Sequence, residues 1–139
     1  MPINDCKLLE LNKIYNPQGN LTVITNNLDI PFEVKRIFYL YDIPAGQERG
    51  GHAHINTLQF IISVSGSFDI TLDDGFERKT INLNRPFQGL LVDKYVWNEL
   101  KNFSSGSVCL VLASDFYKEE DYIRDYEEFL RLARLRYNS

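Results

Sequence analysis

The sequence predicts a small antiparallel β-barrel or β-sandwich that is completed by one C-terminal helix. Short β-rich segments separated by turn residues follow one another to about residue 114, a spacing that is typical of sandwiches and barrels. After that point apolar residues recur at steps of three and four, the period of an amphipathic helix. The 139 residues, 44% of them hydrophobic, suffice for the core of one compact domain but not of two. We therefore expect a single domain over residues 1–139.

Turn signals set the order of the predicted strands. Pro17-Gln18-Gly19 precedes the first strand, and Asp73-Asp74-Gly75 predicts a hairpin because Asp and Gly tolerate positive φ. The predicted strands are residues 21–25, 34–41, 57–65, 67–72, 76–83, 89–92, 96–100 and 107–113. Residues 34–41 alternate between two faces, with Arg36, Phe38 and Leu40 on one and Ile37, Tyr39 and Tyr41 on the other.

The segment after residue 115 predicts one amphipathic helix at about residues 117–136. Its apolar positions are Phe116, Tyr122, Ile123, Tyr126, Phe129, Leu130 and Ala133. Acidic residues at 119–121 stand at its start, and Arg131, Arg134 and Arg136 stand near its end. This charge order complements the helix dipole. We expect the helix to pack on or beside the barrel.

Composition excludes several functional classes. The net charge is −4, so no overall positive field would attract nucleic acid or an anionic membrane. The N-terminal residues do not read as a secretory leader, and no apolar run approaches transmembrane length. Cys109 lies in an apolar run, which favours a small buried side chain over a disulfide with Cys6. These features predict a soluble, reduced, cytoplasmic protein.

The pair His52 and His54 is the strongest functional signal. These are the only histidines, and residues at i and i+2 of an extended strand point to the same side. They belong to the pattern Gly-x-His-x-His-x4-Gln-x6-Gly, which resembles the first cupin motif, where a later carboxylate completes a metal site. Here Gln59 stands at the carboxylate position, and an uncharged amide is a poor ligand for a catalytic divalent ion. We therefore expect proton chemistry or substrate binding at the histidines, with no metal and no cofactor.

Other residues could line the same site. Arg49 leads into the histidine motif and Arg36 lies on a neighbouring strand, and guanidinium groups suit bidentate phosphate binding. The alternative, a solvated surface cation, applies more to Arg36 than to Arg49. Tyr39 could donate a proton or pack in the core, and Trp97 could stack on a base or sugar or pack in the core.

Six motifs extend over nearly the whole chain. They are Ile30-Pro31-Phe32-x-Val34-Lys35-Arg36, Arg49-Gly50-x-His52-Ala53-His54, Gly66-Ser67, Val96-Trp97-x-Glu99, Val111-Leu112-Ala113-Ser114-Asp115-x-Tyr117 and Asp121-Tyr122-Ile123-Arg124-x-Tyr126. With them the chain resembles the sugar-nucleotide 3,4-ketoisomerases that act on dTDP-4-keto-6-deoxyglucose, also called the WxcM-like family.

This resemblance implies a fold, an assembly and a substrate. The fold is a metal-free cupin barrel of the jelly-roll type, and the assembly is a homodimer that exchanges N-terminal strands. The substrate is dTDP-4-keto-6-deoxyglucose, and the product serves the synthesis of 3-amino-3,6-dideoxyhexoses for bacterial surface glycans, such as the O-antigen of lipopolysaccharide or S-layer glycans. His52 and His54 align with the two family histidines, and Tyr39 aligns with an active-site tyrosine.

The implied reaction moves the ketone from C4 to C3 through an enediol. The C4 carbonyl acidifies the C3 proton, so a base with a pKa near neutrality suits its removal and its return at C4. We expect His54 to carry this proton between C3 and C4. His52 is expected to hydrogen-bond or protonate the substrate oxygens, and Tyr39 to act as a proton donor or an orienting group. Arg49, together with Arg36, is expected to hold the diphosphate.

Four further residues are expected to contact the substrate. They are Gln59, Trp97, Gln18 and Asn98. The last two occupy the positions at which the family varies with the stereochemistry at C4. One subgroup has Arg and His there and the other has Tyr and Arg, and this chain matches neither. On this basis the sequence does not distinguish between a product with the galacto configuration at C4 and one with the gluco configuration.

Three other functions compete with the isomerase. A dTDP-4-keto-sugar 3,5-epimerase is also a metal-free cupin, but it would use a His-Asp dyad with a tyrosine acid, and no Asp partner is evident in that pattern. A non-catalytic sugar-nucleotide-binding cupin would not need both histidines and Arg49. A metal-dependent cupin oxygenase would need ligands beyond His52 and His54. The sequence therefore favours the isomerase.

Overall fold

Two five-stranded antiparallel sheets face each other, with one helix at the side of the second sheet. The computed structural model describes residues 2–138. The strands are β1 (Lys7–Glu10), β2 (Arg36–Leu40), β3 (Arg49–His54), β4 (Gln59–Ser65), β5 (Phe68–Asp73), β6 (Arg78–Leu83), β7 (Gln88–Val92), β8 (Trp97–Lys101), β9 (Val108–Ala113) and β10 (Tyr122–Ile123), and the helix is α1 (Tyr126–Tyr137). Short 3₁₀ turns cover Pro2–Asp5 and Glu119–Asp121. None of the helices within residues 2–138 is long and apolar enough to cross a membrane.

The main core lies between the two sheets. The first sheet has the strand order β1-β7-β4-β9-β2 and the second has the order β10-β3-β8-β5-β6. Because side chains alternate along each strand, one face of each sheet supplies this core. It includes Ile61, Leu90 and Val111 from the first sheet and Ile70 and Leu72 from the second. The predicted fold class, a jelly-roll type of antiparallel barrel with a C-terminal helix, is confirmed.

The helix supports the strand that carries the histidines. Phe129 of α1 is fully buried and forms a separate apolar cluster with Ala53, Trp97 and Ile123. Ala53 lies between the two histidines in the sequence, so its side chain points to the opposite face of β3. The helix therefore packs behind the histidine strand and leaves the other face free for a site.

The helix begins nine residues later than the predicted start at about 117, since α1 starts at Tyr126. The preceding residues form a 3₁₀ turn and then β10, which pairs with β3. Asp121 accepts hydrogen bonds from the backbone N–H groups of Ile55 and Asn56, which ties this segment to the turn between β3 and β4. The side chain of Asp125 caps α1 by accepting from the N–H of Glu128. These long-range contacts outweigh the helical period of the sequence.

The strand predicted at residues 21–25 is not formed. Leu21 makes one isolated bridge with Ile14, and the rest of the segment has no regular secondary structure. The edge position next to β7 is occupied instead by β1, which the sequence pattern did not predict. A β-branched run becomes a strand only where an edge is available to pair with it, and local propensity does not report that.

Candidate active site

A bulge at the start of β3 sets the direction of the histidines. Gly50 and Gly51 have φ values of +90° and +78°, a region that favours glycine. The register between β3 and β8 shifts at this point, so that His52 lies opposite Asn98. A Cβ atom on Gly50 would lie 3.0 Å from the backbone oxygen of Asn98. The histidine motif therefore depends on the two glycines that precede it.

The two imidazoles form one aromatic cluster with a tyrosine. Their ring centroids are 5.0 Å apart and the rings are nearly perpendicular. Tyr122 of β10 lies opposite His54 in the strand register, with ring centroids 4.4 Å from His54 and 5.1 Å from His52. The guanidinium of Arg124 lies over the ring of Tyr122, with its Cζ 4.3 Å from the ring centroid. The short strand β10 thus brings into the site a residue that the sequence pattern had placed on a helix.

Asp121 is a partner of His54 that the sequence did not reveal. Nδ1 of His54 lies 2.8 Å from Oδ2 of Asp121, and the carboxylate also accepts from Oγ1 of Thr57 and from the N–H groups of Ile55 and Asn56. Because a carboxylate only accepts, the proton of neutral His54 is on Nδ1 and the lone pair is on Nε2. That Nε2 atom is buried. The expectation that no Asp forms a dyad with a histidine is therefore wrong.

Burial keeps both histidines neutral at pH 7. It is the largest cause that lowers the pKa of His52 to about 4, and repulsion from His54 when that ring is protonated, and from Arg124 and Arg36, acts in the same direction. Burial also lowers the pKa of His54, and the hydrogen bond and charge of Asp121 offset only part of that effect. For Asp121 itself, burial raises the pKa, but the hydrogen bonds it accepts outweigh burial and hold the pKa below its usual range. The sequence had suggested a base with a pKa near neutrality, and the enclosed site moves the histidines below it.

A cavity of about 90 Å³ opens beside His52 between the two sheets. Arg49, Gln59 and Asn98 line it together with His52, and Phe38 is part of its apolar wall. The structure therefore brings together four of the residues that the sequence singled out. Within residues 2–138 no group of three or more His, Cys, Asp and Glu side chains is arranged to hold a metal ion.

Tyr39 does not reach this cavity. It lies on β2 between Phe38 and Leu40, both of which line the cavity, so strand alternation turns its side chain to the outer face of the sheet. There it is 59% exposed and packs against Tyr41. Tyr39 therefore does not line the cavity of its own chain, and its expected role as the tyrosine of the site stays a prediction.

Two other expected substrate contacts also lie elsewhere. Trp97 is buried behind the second sheet, where its ring packs against Tyr126 and Phe129 and its Nε1 donates to Glu99. It is a core residue, on the opposite face of β8 from Asn98. Gln18 lies in an exposed turn of the N-terminal segment and does not line the cavity of its own chain.

The two arginines occupy different environments. Arg49 is exposed at the mouth of the cavity, next to Glu48, Gly51 and Glu99. The guanidinium nitrogens of Arg36 are buried. Only the first placement is the one expected of a residue that holds a diphosphate at a pocket entrance.

Comparison with known proteins identifies the family. The FdtA family (WxcM-like, C-terminal) matches residues 4–134. The chain belongs to this family. A curated relative, the TDP-4-oxo-6-deoxy-alpha-D-glucose-3,4-oxoisomerase of Aneurinibacillus thermoaerophilus, is 42% identical over 123 residues, which are 88% of each chain.

Solved structures of FdtA-like proteins agree with this assignment. A 3,4-ketoisomerase from Helicobacter canadensis is 48% identical, with a TM-score of 0.91 over 94% of this chain and 98% of that one. A His-to-Asn mutant of the 3,4-ketoisomerase QdtA from Thermoanaerobacterium thermosaccharolyticum, in complex with TDP-4-keto-6-deoxyglucose, is 37% identical, with a TM-score of 0.93 over 96% of this chain and 97% of that one. A dTDP-4-dehydrorhamnose 3,5-epimerase from Bacillus anthracis is only 18% identical, with a TM-score of 0.75 over 88% of this chain and 79% of that one, and shares the fold alone.

Asp121 and Tyr122 belong to the motif Asp121-Tyr122-Ile123-Arg124-x-Tyr126, but the sequence pattern did not place them beside the histidines. Asp121 is 67 residues from His54 in the chain, and its charge pattern is also that of a helix start. The available signal was the presence of a carboxylate inside a motif of the family. Only the pairing of β10 with β3 shows that this carboxylate meets the histidine.

Proposed function

We propose that this member of the FdtA family is a dTDP-4-keto-6-deoxyglucose 3,4-ketoisomerase that moves the ketone from C4 to C3. The observation that carries the proposal is a pair of neutral imidazoles in contact with each other: His52 lines a cavity, and Asp121 holds His54 in a single tautomer. Relatives that are 37–48% identical over nearly the whole chain and are named as 3,4-ketoisomerases support it.

His54 is the proposed proton carrier between C3 and C4. Asp121 holds its Nδ1–H, so the lone pair of Nε2 is directed away from the carboxylate and can accept a carbon-bound proton. Asp121 also makes His54 a stronger base than burial alone would allow. His52 lines the cavity and is proposed to pass a proton between the substrate oxygens.

The remaining cavity residues are proposed to hold the substrate. Arg49 at the mouth suits the diphosphate, because an exposed guanidinium can bind phosphate oxygens in a bidentate way. Gln59 and Asn98 lie deeper and are proposed to contact the sugar. Tyr39 and Trp97 have no role in this proposal, since their side chains lie on the strand faces that point away from the cavity.

The histidine roles are tested with His52→Asn and His54→Asn. Both variants should lose ketone migration by at least about 10²-fold, the usual contribution of a proton-transfer group, while their circular dichroism spectra stay those of the wild type. Exchange of the C3 proton with D₂O, measured by proton NMR, distinguishes the roles of the two histidines. The His54→Asn variant should no longer exchange this proton. Loss in His52→Asn with retention in His54→Asn would reverse the two assignments.

The activity is tested by incubation with dTDP-4-keto-6-deoxyglucose and a 3-aminotransferase, followed by NMR of the aminated product. Amination at C3 supports the isomerase. A ketone that stays at C4 with inverted C3 or C5 would instead indicate an epimerase, and tight binding without turnover would indicate a binding protein. The epimerase alternative rests on the His54–Asp121 dyad alone, because the epimerase structures are too distant to carry activity.

We propose the gluco configuration at C4 of the product. The TDP-quinovose 3,4-ketoisomerase WlaRB from Campylobacter jejuni is 50% identical to this chain, whereas the TDP-fucose 3,4-ketoisomerase WlaRA from the same organism is 37% identical. Quinovose has the gluco and fucose the galacto configuration. In the aminated product a large H3–H4 coupling supports the gluco sugar, and a small one overturns it.

We further propose that the enzyme is a cytoplasmic homodimer with exchanged N-terminal strands. Apolar side chains of the N-terminal segment, among them Leu21 and Val23, are exposed, and so are Ile37 and Tyr39 on the outer face of the first sheet. A second copy packed against this surface would bury them, and it is the arrangement that could bring Gln18 to a site. The proposed product would feed a 3-aminotransferase in the synthesis of surface glycans.

A further inference from the structure

Within residues 2–138, four buried side-chain polar atoms have no hydrogen-bond partner. Three are the guanidinium nitrogens Nε, Nη1 and Nη2 of Arg36, and the fourth is Nε2 of His54. By contrast, Arg78, Arg124 and Arg131 are each ion-paired with a carboxylate at 2.6–2.9 Å. Arg36 therefore differs from these three arginines. The other buried atom without a partner, Nε2 of His54, belongs to the proposed proton carrier.

Strand register places Arg36 on the cavity side of the first sheet. Ala113 of β9 lies in register between Arg36 of β2 and Gln59 of β4. Residues in register on neighbouring strands point to the same face, and Gln59 lines the cavity. The charge of Arg36 also lowers the pKa of both His52 and His54. The guanidinium thus lies within electrostatic reach of both imidazoles.

The surroundings of Arg36 hold the guanidinium without neutralising it. Its carbon Cζ lies 5.5 Å from the ring centroid of Phe38 and 5.7 Å from that of Tyr117. The carboxylates Asp121 and Glu119 have other partners, because Asp121 accepts from His54 and Glu119 pairs with Arg124. A buried cation without an anion is costly. An anionic group of a bound ligand would satisfy it.

We propose that Arg36 is a catalytic residue that binds the two neighbouring oxygens of the enediolate, O3 and O4, through parallel N–H donors of its guanidinium. This inference rests on the proposed 3,4-ketoisomerase activity. The planar fork of arginine matches a pair of adjacent oxygens. A buried donor set in place before the reaction stabilises charge that develops in the transition state without reorganisation.

The proposed step needs no oxidant or reductant. His54 takes the C3 proton, the C–H electron pair forms the C3–C4 double bond, and the carbonyl pair moves onto O4. The proton of O3 then passes by way of His52 to O4, which leaves the negative charge on O3. Finally the O3 electron pair forms the C3 carbonyl while C4 takes the proton back from His54. Arg36 contacts both oxygens and therefore stabilises the charge on either one.

The position of Arg36 argues against a role in diphosphate binding. Arg49 is exposed at the cavity mouth, whereas the nitrogens of Arg36 are buried and its charge acts on both histidines. A diphosphate linked to a nucleoside must extend to the mouth. The sugar, which enters more deeply, is the part that Arg36 can reach.

The test compares Arg36→Gln with Arg49→Gln. In Arg36→Gln, kcat for ketone migration should fall about 10²–10³-fold, the usual loss for one oxyanion donor, while the Kd for TDP, which has no sugar, should change less than about twofold. In Arg49→Gln, the Kd for TDP should rise about tenfold with a smaller effect on kcat. Arg131→Gln, a surface arginine on α1, is the matched control and should leave both unchanged.

The thermal stability of the Arg36→Gln variant distinguishes a catalytic role of Arg36 from a purely structural one. Removing an unpaired buried charge should leave the Tm of the unliganded Arg36→Gln protein equal to or above that of the wild type, although kcat falls. Arg36→Lys, which keeps the charge without the fork, serves if the Gln variant does not fold, and its kcat should also fall. Wild-type kcat in both variants, or a TDP Kd weakened as in Arg49→Gln, overturns the inference. No turnover by the wild type would refute the proposed activity itself.

Discussion

At the residue scale, Asp121 determines which nitrogen of His54 is available as a base. The carboxylate accepts four hydrogen bonds, from His54, Thr57, Ile55 and Asn56, so its own position is fixed by groups from the turn before β4. A fixed acceptor at Nδ1 selects the tautomer with a free Nε2. Asp121 is thus a positioning residue, which acts through the imidazole.

Replacement of Asp121 by Asn should change both the rate and its pH dependence. We expect kcat to fall by about 10²-fold or more, because the amide no longer selects the tautomer of His54. The acid limb of kcat/KM should move to lower pH, because Asp121 raises the pKa of His54. Thr57→Val, which keeps the carboxylate and removes one of its donors, should lose less than about tenfold. An acid limb that stays in place in Asp121→Asn would contradict this role.

The lowered pKa values of the histidines also predict how stability depends on pH. In the folded protein the pKa of His52 is about 4, whereas an unburied histidine has a pKa of 6.5. Between these two pH values the unfolded chain therefore binds a proton at His52 that the folded protein does not bind. The contribution of this group to the free energy of unfolding should therefore be complete above about pH 6.5. It should decrease as the pH falls towards 4, by at most about 1.4 kcal/mol per pH unit. When the free energy of unfolding is measured with urea at several pH values, its dependence on pH should be weaker in His52→Asn than in the wild type. Equal slopes would count against a buried neutral His52.

At the element scale, the histidine strand is supported from behind by α1. Phe129 is fully buried against Ala53, Trp97 and Ile123, which joins the helix to β3, β8 and β10. Helical propensity alone would not hold a 12-residue helix in water. The helix and the strand pair β3–β10 therefore stabilise each other.

Truncation of Phe129 should destabilise the whole fold. We expect Phe129→Ala to lower the free energy of unfolding by about 3–5 kcal/mol, the usual cost of removing a buried aromatic ring. Leu135→Ala on the same helix is the control, since Leu135 is 55% exposed, and should change it by less than about 0.5 kcal/mol. Urea denaturation followed by tryptophan fluorescence measures both. A small loss for Phe129→Ala would mean that α1 is not coupled to the barrel.

The boundaries of elements were the least predictable part of the fold. The apolar period across Tyr122, Ile123 and Tyr126 continues into α1, so it reads as one helix. Hydrogen bonds from Ile55 and Asn56 to Asp121 pull the first half of this stretch onto the sheet. A period describes which residues are buried, and it does not describe what they are buried against.

At the scale of the whole molecule, the outer face of the first sheet and the N-terminal segment both expose apolar side chains. Leu28 is 78% exposed and Tyr41 is 61% exposed. A groove of about 530 Å³ also opens between the N-terminal segment and strands β4 and β9, and Thr22, Ile24 and Val64 are among its walls. Exposed apolar patches of this kind mark interaction surfaces. This supports the proposed homodimer.

Light scattering coupled to size-exclusion chromatography should give twice the mass of one chain. Val23→Asp should shift the protein towards the monomer, because burial of a carboxylate in an apolar interface is costly. Leu135→Asp introduces the same charge at an exposed position on α1 and should leave the mass unchanged. A wild-type protein that elutes as a monomer would overturn the proposed assembly.

The sequence by itself determined the fold class, the family and the central histidines. Strand spacing, the turn residues and the pattern around His52 and His54 are local, so they can be read along the chain. The alternation of residues 34–41 was local as well, and it already placed Tyr39 on the face opposite Arg36. The structure agrees with that alternation, because Phe38 and Leu40 line the cavity whereas Tyr39 is exposed on the outer face.

Only the tertiary structure decided which groups surround those histidines. Asp121 and Tyr122 reach them through the pairing of β10 with β3, over more than sixty residues of chain. The burial that lowers the histidine pKa values, and that leaves Arg36 without an anionic partner, comes from the packing of two sheets. Residue types and their spacing define what chemistry is possible. Desolvation and long-range contacts, which arise only when the chain is folded, define which of those residues can perform it.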